Sequence, residues 1–107
     1  MEAKPRSLEV HLDADGGDPF NDWLTGLKDR HGRARIEVRL HRVERGNFGD
    51  CRPLDEGVHE LRIGVGPGYR VYFGLDGDSV ILLWGGGKST QKKDIQKAIS
   101  RWRDYHA

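Results

Sequence analysis

Glu60 to Lys92, ELRIGVGPGYRVYFGLDGDSVILLWGGGKSTQK, writes three strands, two tight turns and a helix start in one run. Gly66-Pro67-Gly68 offers proline's fixed φ at the second turn position and a glycine for positive φ at the third, which predicts a type II turn. Asp76-Gly77 predicts a two-residue hairpin connection. Between these turns Tyr69, Val71 and Phe73 alternate with Arg70 and Tyr72, so one strand face is apolar and the other carries a cation and a phenol. Ser79 to Trp84 is apolar on both faces, as a central strand covered from both sides should be.

Working outward, Leu8, Val10 and Leu12 alternate with charged neighbours and predict a first strand, followed by a loop from Asp13 to Gly17. Asp18-Pro19 predicts a helix start, an N-cap carboxylate followed by proline at the first helical position. Phe20, Trp23, Leu24 and Leu27 then form one apolar stripe, and Gly32 is the expected stop. Ala34 to Arg45 fits two periods: Ile36, Val38 and Leu40 alternate, while Ile36, Leu40 and Val43 recur at helical spacing. Its length, and Gly46 behind it, favour a second helix. Cys51 to Leu54 reads as a short strand, Asp55-Glu56-Gly57 as a turn, and Val58 to Val65 as the next strand. A last helix opens near Ser89 or Thr90 and carries Ile95, Ala98, Ile99 and Trp102 on one face. The expected order is β-α-α-β-β-β-β-α, an α+β domain with a twisted, mainly antiparallel sheet.

A chain of 107 residues makes one domain with its own core, with about 1–7 and 104–107 expected to be disordered. Cys51 has no second cysteine to pair with, which fits a reducing cytoplasm. The start MEAKPRSLEV has no apolar signal region, and no apolar run approaches the roughly 18 residues of a membrane span. The net charge of +1 hides a segregation. Met1 to Leu24 holds six acids against two cations, Lys28 to Arg52 eight cations against four acids, and Lys88 to Arg103 six cations against Asp94 alone. Such a dipolar surface fits a polyanion or an acidic partner, or else solvated helix faces.

Three chemistries were open to these residues. Gly85-Gly86-Gly87-Lys88-Ser89-Thr90 superficially follows a P-loop, but the first glycine of that pattern falls on Leu82 inside a strand, so the motif fails. What survives is a helix start beside Lys88 that suits one phosphate oxygen, against a plain exit from the sheet. Metal-dependent hydrolysis is disfavoured: Asp55, Glu56, Asp76 and Asp78 lie in turns, and the histidines at 11, 31, 41, 59 and 106 show no ligand spacing, so neither metal nor cofactor is expected. Metal-free RNA cleavage needs cations around a phosphate plus a proton acceptor and donor. Arg62, Arg70 and Lys88 supply cations from three consecutive strands if the register turns them to one side. Glu60, on Arg62's strand face, is the nearest base and equally that arginine's structural partner. Tyr72 shares Arg70's face and could stack on a base or donate its hydroxyl.

The runs Gly46-Asn47-Phe48-Gly49-Asp50, Glu60-Leu61-Arg62, Gly66 to Phe73, and Gly85 to Ser89 with Gln91, Lys92, Asp94 and Ile95 resemble the RelE/ParE superfamily of type II toxins. The HigB-like, phage-derived addiction-module killer branch is the nearest, and the resemblance covers about Phe20 to Tyr105. It implies a RelE-like fold, a ribosome-dependent mRNA endoribonuclease that leaves a 2′,3′-cyclic phosphate, and translation as the target. A ParE-like gyrase inhibitor and an inactive antitoxin-binding member are the alternatives. By motif position Arg62, Arg70 and Lys88, with Gln91 and Lys92 at the helix start, would bind or cleave RNA; the strand-face reading adds Glu60 to the catalytic group and Tyr72 to the RNA contacts, and Arg39 and Arg42 are further RNA-binding candidates. The resemblance also implies a helix-turn-helix, HigA-like antitoxin covering the basic face in a hetero-oligomer. Asp104-Tyr105-His106 resembles the end of some HigB toxins, but its place after a long helix makes it a frayed end in this reading.

Overall fold

The strands expected between Val58 and Trp84 are present in the computed structural model, which describes residues 4–107. In chain order the elements are β1 (Ser7–Val10), α1 (Pro19–Gly26), α2 (Arg30–Glu44), β2 (Cys51–Pro53), β3 (Val58–Ile63), β4 (Tyr69–Asp76), β5 (Ser79–Gly86) and α3 (Gln91–His106), with single 3-10 turns at Asp55–Gly57 and Lys88–Thr90. The class is α+β. Five strands form one mixed sheet in the order β1-β5-β4-β3-β2. Only β1 and β5 run parallel; the other neighbours are antiparallel.

The sheet is covered on both faces, and the strand alternation decides which side chain goes where. Leu61, Ile63, Val71, Phe73, Val80 and Leu82 meet Phe20 and Leu24 of α1 and Ile36, Leu40 and Val43 of α2. Val58, Tyr72, Ile81 and Leu83 meet Ala98, Ile99 and Trp102 of α3. The two-sided apolarity of β5 is thereby explained, since Val80 and Leu82 serve one core and Ile81 and Leu83 the other. Each enclosed aliphatic side chain contributes about 1.5–3 kcal/mol relative to exposure.

The helix boundary near Gly32 differs from expectation. α1 ends at Gly26, and α2 begins at Arg30 with Asp29 as its N-cap, whose carboxylate accepts from the Gly32 N–H at 2.9 Å. Gly32 is not a stop. It lies in the first turn of α2, where a Cβ would come within 2.4 Å of the Tyr69 ring. The Gly32 N–H and then the Tyr69 hydroxyl, at 2.9 Å, hold the Asp29 carboxyl below its ordinary pKa. Both tight turns are also displaced. The Gly68 N–H donates to the Val65 carbonyl, so Gly66 (φ 53) takes the second turn position, and Gly68 (φ 75) is positive as well. Asp76 pairs with Ser79, so the hairpin loop is Gly77-Asp78, with Gly77 at φ 59.

Residues near both chain ends make contacts with the rest of the fold. Residues 1–3 of the expected disordered start lie outside the described residues, and the Arg6 N–H donates to the Glu44 carbonyl at 2.8 Å just before β1. Asp104, Tyr105 and His106 belong to α3. The Asp104 carboxylate meets His11 Nε2 at 2.8 Å, and the Tyr105 hydroxyl donates to Asp76 at 2.7 Å. Tyr105 also stacks on Trp102. No helix among the described residues is long and apolar enough to cross a membrane.

Candidate functional site

The ladders around β3 gather one set of polar side chains at one end of the sheet. Arg62 lies directly opposite Arg70, Glu60 opposite Tyr72, and Arg52 opposite Glu60. On β5, Gly86 faces Arg70 and Trp84 faces Tyr72. A bulge at the Tyr72/Phe73 level makes this pairing possible, because Tyr72 meets Trp84 while Phe73 meets Leu82, and Leu83 is left between them. The shift turns Gly86 towards α3, where a Cβ would stand 1.9 Å from an Asp94 carboxylate oxygen. Asp94 in turn accepts from Trp84 Nε1 at 3.0 Å and from the Thr90 hydroxyl at 2.5 Å, which seats the start of α3 on the end of β5.

Glu60 is the centre of the cluster and has no exposed surface. Its Oε1 lies 3.1 Å from Arg52 Nε, 3.3 Å from Arg62 Nε and 3.9 Å from Arg70 Nε. Its Oε2 accepts from Gln91 Nε2 at 2.7 Å, across 31 positions of chain. Arg62 and Arg70 as directly opposed like charges would repel. The carboxylate between them offsets that repulsion and leaves three guanidiniums against one anion. Arg70 is nearly enclosed, with its Nη1 donating to the carbonyls of Gly68 and Tyr69. The Nε–H groups of Arg62 and Arg70 satisfy no hydrogen bond among the described residues. Three guanidiniums against one carboxylate leave a net positive group, which suits an incoming anion.

Lys88 completes the rim. Its backbone N–H donates to the Pro67 carbonyl at 3.3 Å, which fastens the end of β5 to the turn before β4. A Cβ on Gly68 would sit 3.4 Å from Lys88 Cβ and 3.6 Å from Arg70 Nη1, so the lysine stem and the guanidinium flank the same residue. Arg62, Arg70 and Lys88 therefore do come to one end of the sheet.

Other expected site residues take different roles in the structure. Glu60 is enclosed and shared among four partners, so it holds arginines instead of standing open as a base. Tyr72 is also fully buried and cannot stack on a base. Burial, then the charges of Glu60 and Asp94, push its phenol pKa well up, so the hydroxyl stays protonated. Arg39 is spent on the protein itself: it donates to the carbonyls of Arg62 at 2.5 Å, Phe48 at 3.0 Å and Asp50 at 3.2 Å. It braces Arg62 from behind, and burial lowers its pKa. Arg42 is exposed on α2, the layer across the sheet from the cluster. Lys92 lines a shallow groove of about 680 Å³ along the outer face of α3 with Lys93, Gln96 and Lys97. Arg52 was absent from the expected site; its only sequence signal was the strand-like Cys51 to Leu54. Among the described residues no three His, Cys, Asp or Glu side chains gather as a metal-holding group.

The chain is similar to an uncharacterized protein of Haemophilus influenzae (strain ATCC 51907 / DSM 11121 / KW20 / Rd), with 50% identity over 80 residues that cover 74% of this chain and 81% of that protein. The chain belongs to that protein's family. No family model matches it, and no solved structure matches it. Membership of this family brings a shared fold and no activity, so the reading of function rests on the arginine cluster.

Proposed function

We propose that the chain is the toxin of a type II toxin-antitoxin module, a RelE/ParE-like, HigB-type endoribonuclease that cuts mRNA on the ribosome in the cytoplasm without a metal. The observation that carries this reading is the convergence of Arg52, Arg62 and Arg70 on the enclosed Glu60, with Lys88 on the rim. The net positive group matches a phosphodiester. When an RNA 2′-oxygen bonds to phosphorus and the bond to the 5′-oxygen breaks, charge builds on the phosphoryl oxygens, and fixed guanidiniums stabilise it. The 2′-proton passes to solvent and a solvent proton caps the 5′-oxygen, leaving a 2′,3′-cyclic phosphate. A HigA-like helix-turn-helix antitoxin covering this basic end would silence the toxin as a hetero-oligomer.

The enclosure of Glu60 favours a second reading, because the cluster itself then offers no open acid or base. A ParE-like inhibitor of DNA gyrase would need binding alone. Induction of the chain in a bacterium tests both. Growth and translation stop, with ribosome-bound mRNA cut, and Lys88→Ala, at an exposed position, restores growth at unchanged melting temperature. Intact mRNA with lost supercoiling by purified gyrase supports the second reading instead. Unimpaired growth leaves an inactive antitoxin-binding protein and sinks both.

A further inference from the structure

Beside the arginine cluster, at the open edge of the sheet, lies a groove of about 430 Å³ lined by Arg52, Pro53, Leu54, Asp55 and Ile95. That volume falls within the range of small-ligand sites. Two elements tie it to the cluster. Arg52 forms one wall while its Nε lies 3.1 Å from Glu60, and Ile95 follows Gln91, the other Glu60 partner, by one turn of α3. Pro53, Leu54 and Ile95 make the apolar surface. Asp55 is exposed at the start of the 3-10 turn, and its carboxylate has no hydrogen bond or ion pair among the described residues.

We propose that this groove holds the nucleobase attached to the phosphate on Arg62 and Arg70, and that Asp55 selects guanine. The proposal rests on the phosphate-binding reading of the cluster. A flat heteroaromatic ring packs on aliphatic side chains and on a guanidinium plane, which the groove supplies together. A carboxylate accepts from two adjacent donors, and the Watson–Crick edge of guanine offers that pair, N1–H and the exocyclic amine. Adenine and cytosine put a ring acceptor beside their single amine, where it faces the negative charge. Uracil offers one N–H between two carbonyls. Guanine alone satisfies both oxygens without a repulsive neighbour, and a site with a well-placed polar group discriminates by what the wrong ligand leaves unpaired.

Titration of the purified protein with guanosine 3′-monophosphate, uridine 3′-monophosphate and inorganic phosphate, followed by calorimetry or amide chemical shifts, tests the groove. The guanosine nucleotide binds about tenfold more tightly than the uridine one. Asp55→Ala removes that preference and leaves the affinity for inorganic phosphate unchanged. Equal binding of both nucleotides, or a guanosine preference untouched by Asp55→Ala, overturns the groove assignment while the phosphate site stands. Absence of binding by all three probes, or binding indifferent to Arg62→Ala, overturns the groove and the phosphate site together.

Discussion

Glu60 carries one negative charge in a place water does not reach, and its value lies in the cations it holds. Two of its partners, Arg52 and Arg62, keep part of their side chains in solvent, but Arg70 does not, at 8% side-chain exposure. Removing one member of a buried pair leaves the other charge uncompensated, at a cost of about 3–5 kcal/mol. Glu60→Gln keeps the shape and loses the charge, so urea denaturation should show a loss of about 3 kcal/mol. An unchanged midpoint means that Arg70 does not depend on this carboxylate. The two-residue spacing of Glu60 and Arg62 was legible in the sequence as a shared strand face. The enclosure was not, because Gln91 and Arg52 arrive from other elements. Arg39 teaches the same lesson: its charge suggested RNA, and only the packed α2 shows it spent on three carbonyls.

At the level of elements, the glycines after Trp84 do more than release the chain from the sheet. Gly85 lies in β5, where a Cβ would come within 2.2 Å of the Trp23 ring of α1. Gly74 in β4 is covered in the same way by Trp102 of α3, at 2.5 Å. Rigid rings cannot retreat as a lysine could, so Gly85→Ala should destabilise by about 1–3 kcal/mol in thermal unfolding. Gly26, at the end of α1, has nothing within 4 Å of its would-be Cβ. There alanine's better helix propensity should stabilise by about 0.5–1 kcal/mol. A Gly85→Ala variant as stable as the parent chain contradicts the seating of Trp23 on β5. Asp18 caps α1 where the sequence placed it, whereas both tight turns and the helix boundary near Gly32 slipped by a residue or more. A positive φ or an N-cap depends on which neighbouring carbonyl or N–H is nearby, as Asp29 and Gly32 demonstrate.

Across the whole molecule, β1 closes the sheet by pairing in parallel with β5, from Ser7 opposite Ser79 to Val10 opposite Leu82. Beyond it His11 contacts Asp104, and Arg101 donates to the carbonyls of His11 and Leu83 and to Asp13, so the start of the chain is buckled to α3. A chain truncated before Leu12 would expose the unpaired edge of β5, with its apolar Val80, Ile81 and Leu82. Such an edge recruits other strands. Light scattering should then show self-association at micromolar concentration, whereas a monomer of unchanged stability would mean that β1 is dispensable. The sequence by itself determined the α+β class, the strands from Val58 to Trp84 and the apolar stripes of all three helices, because periodicity and turn chemistry act over a few residues. Only the tertiary structure decided the parallel closure by β1, the bulge that turns Gly86 to Asp94, and the enclosure of Glu60 among three arginines. Those depend on register and on the meeting of residues far apart in the chain, which no local pattern encodes.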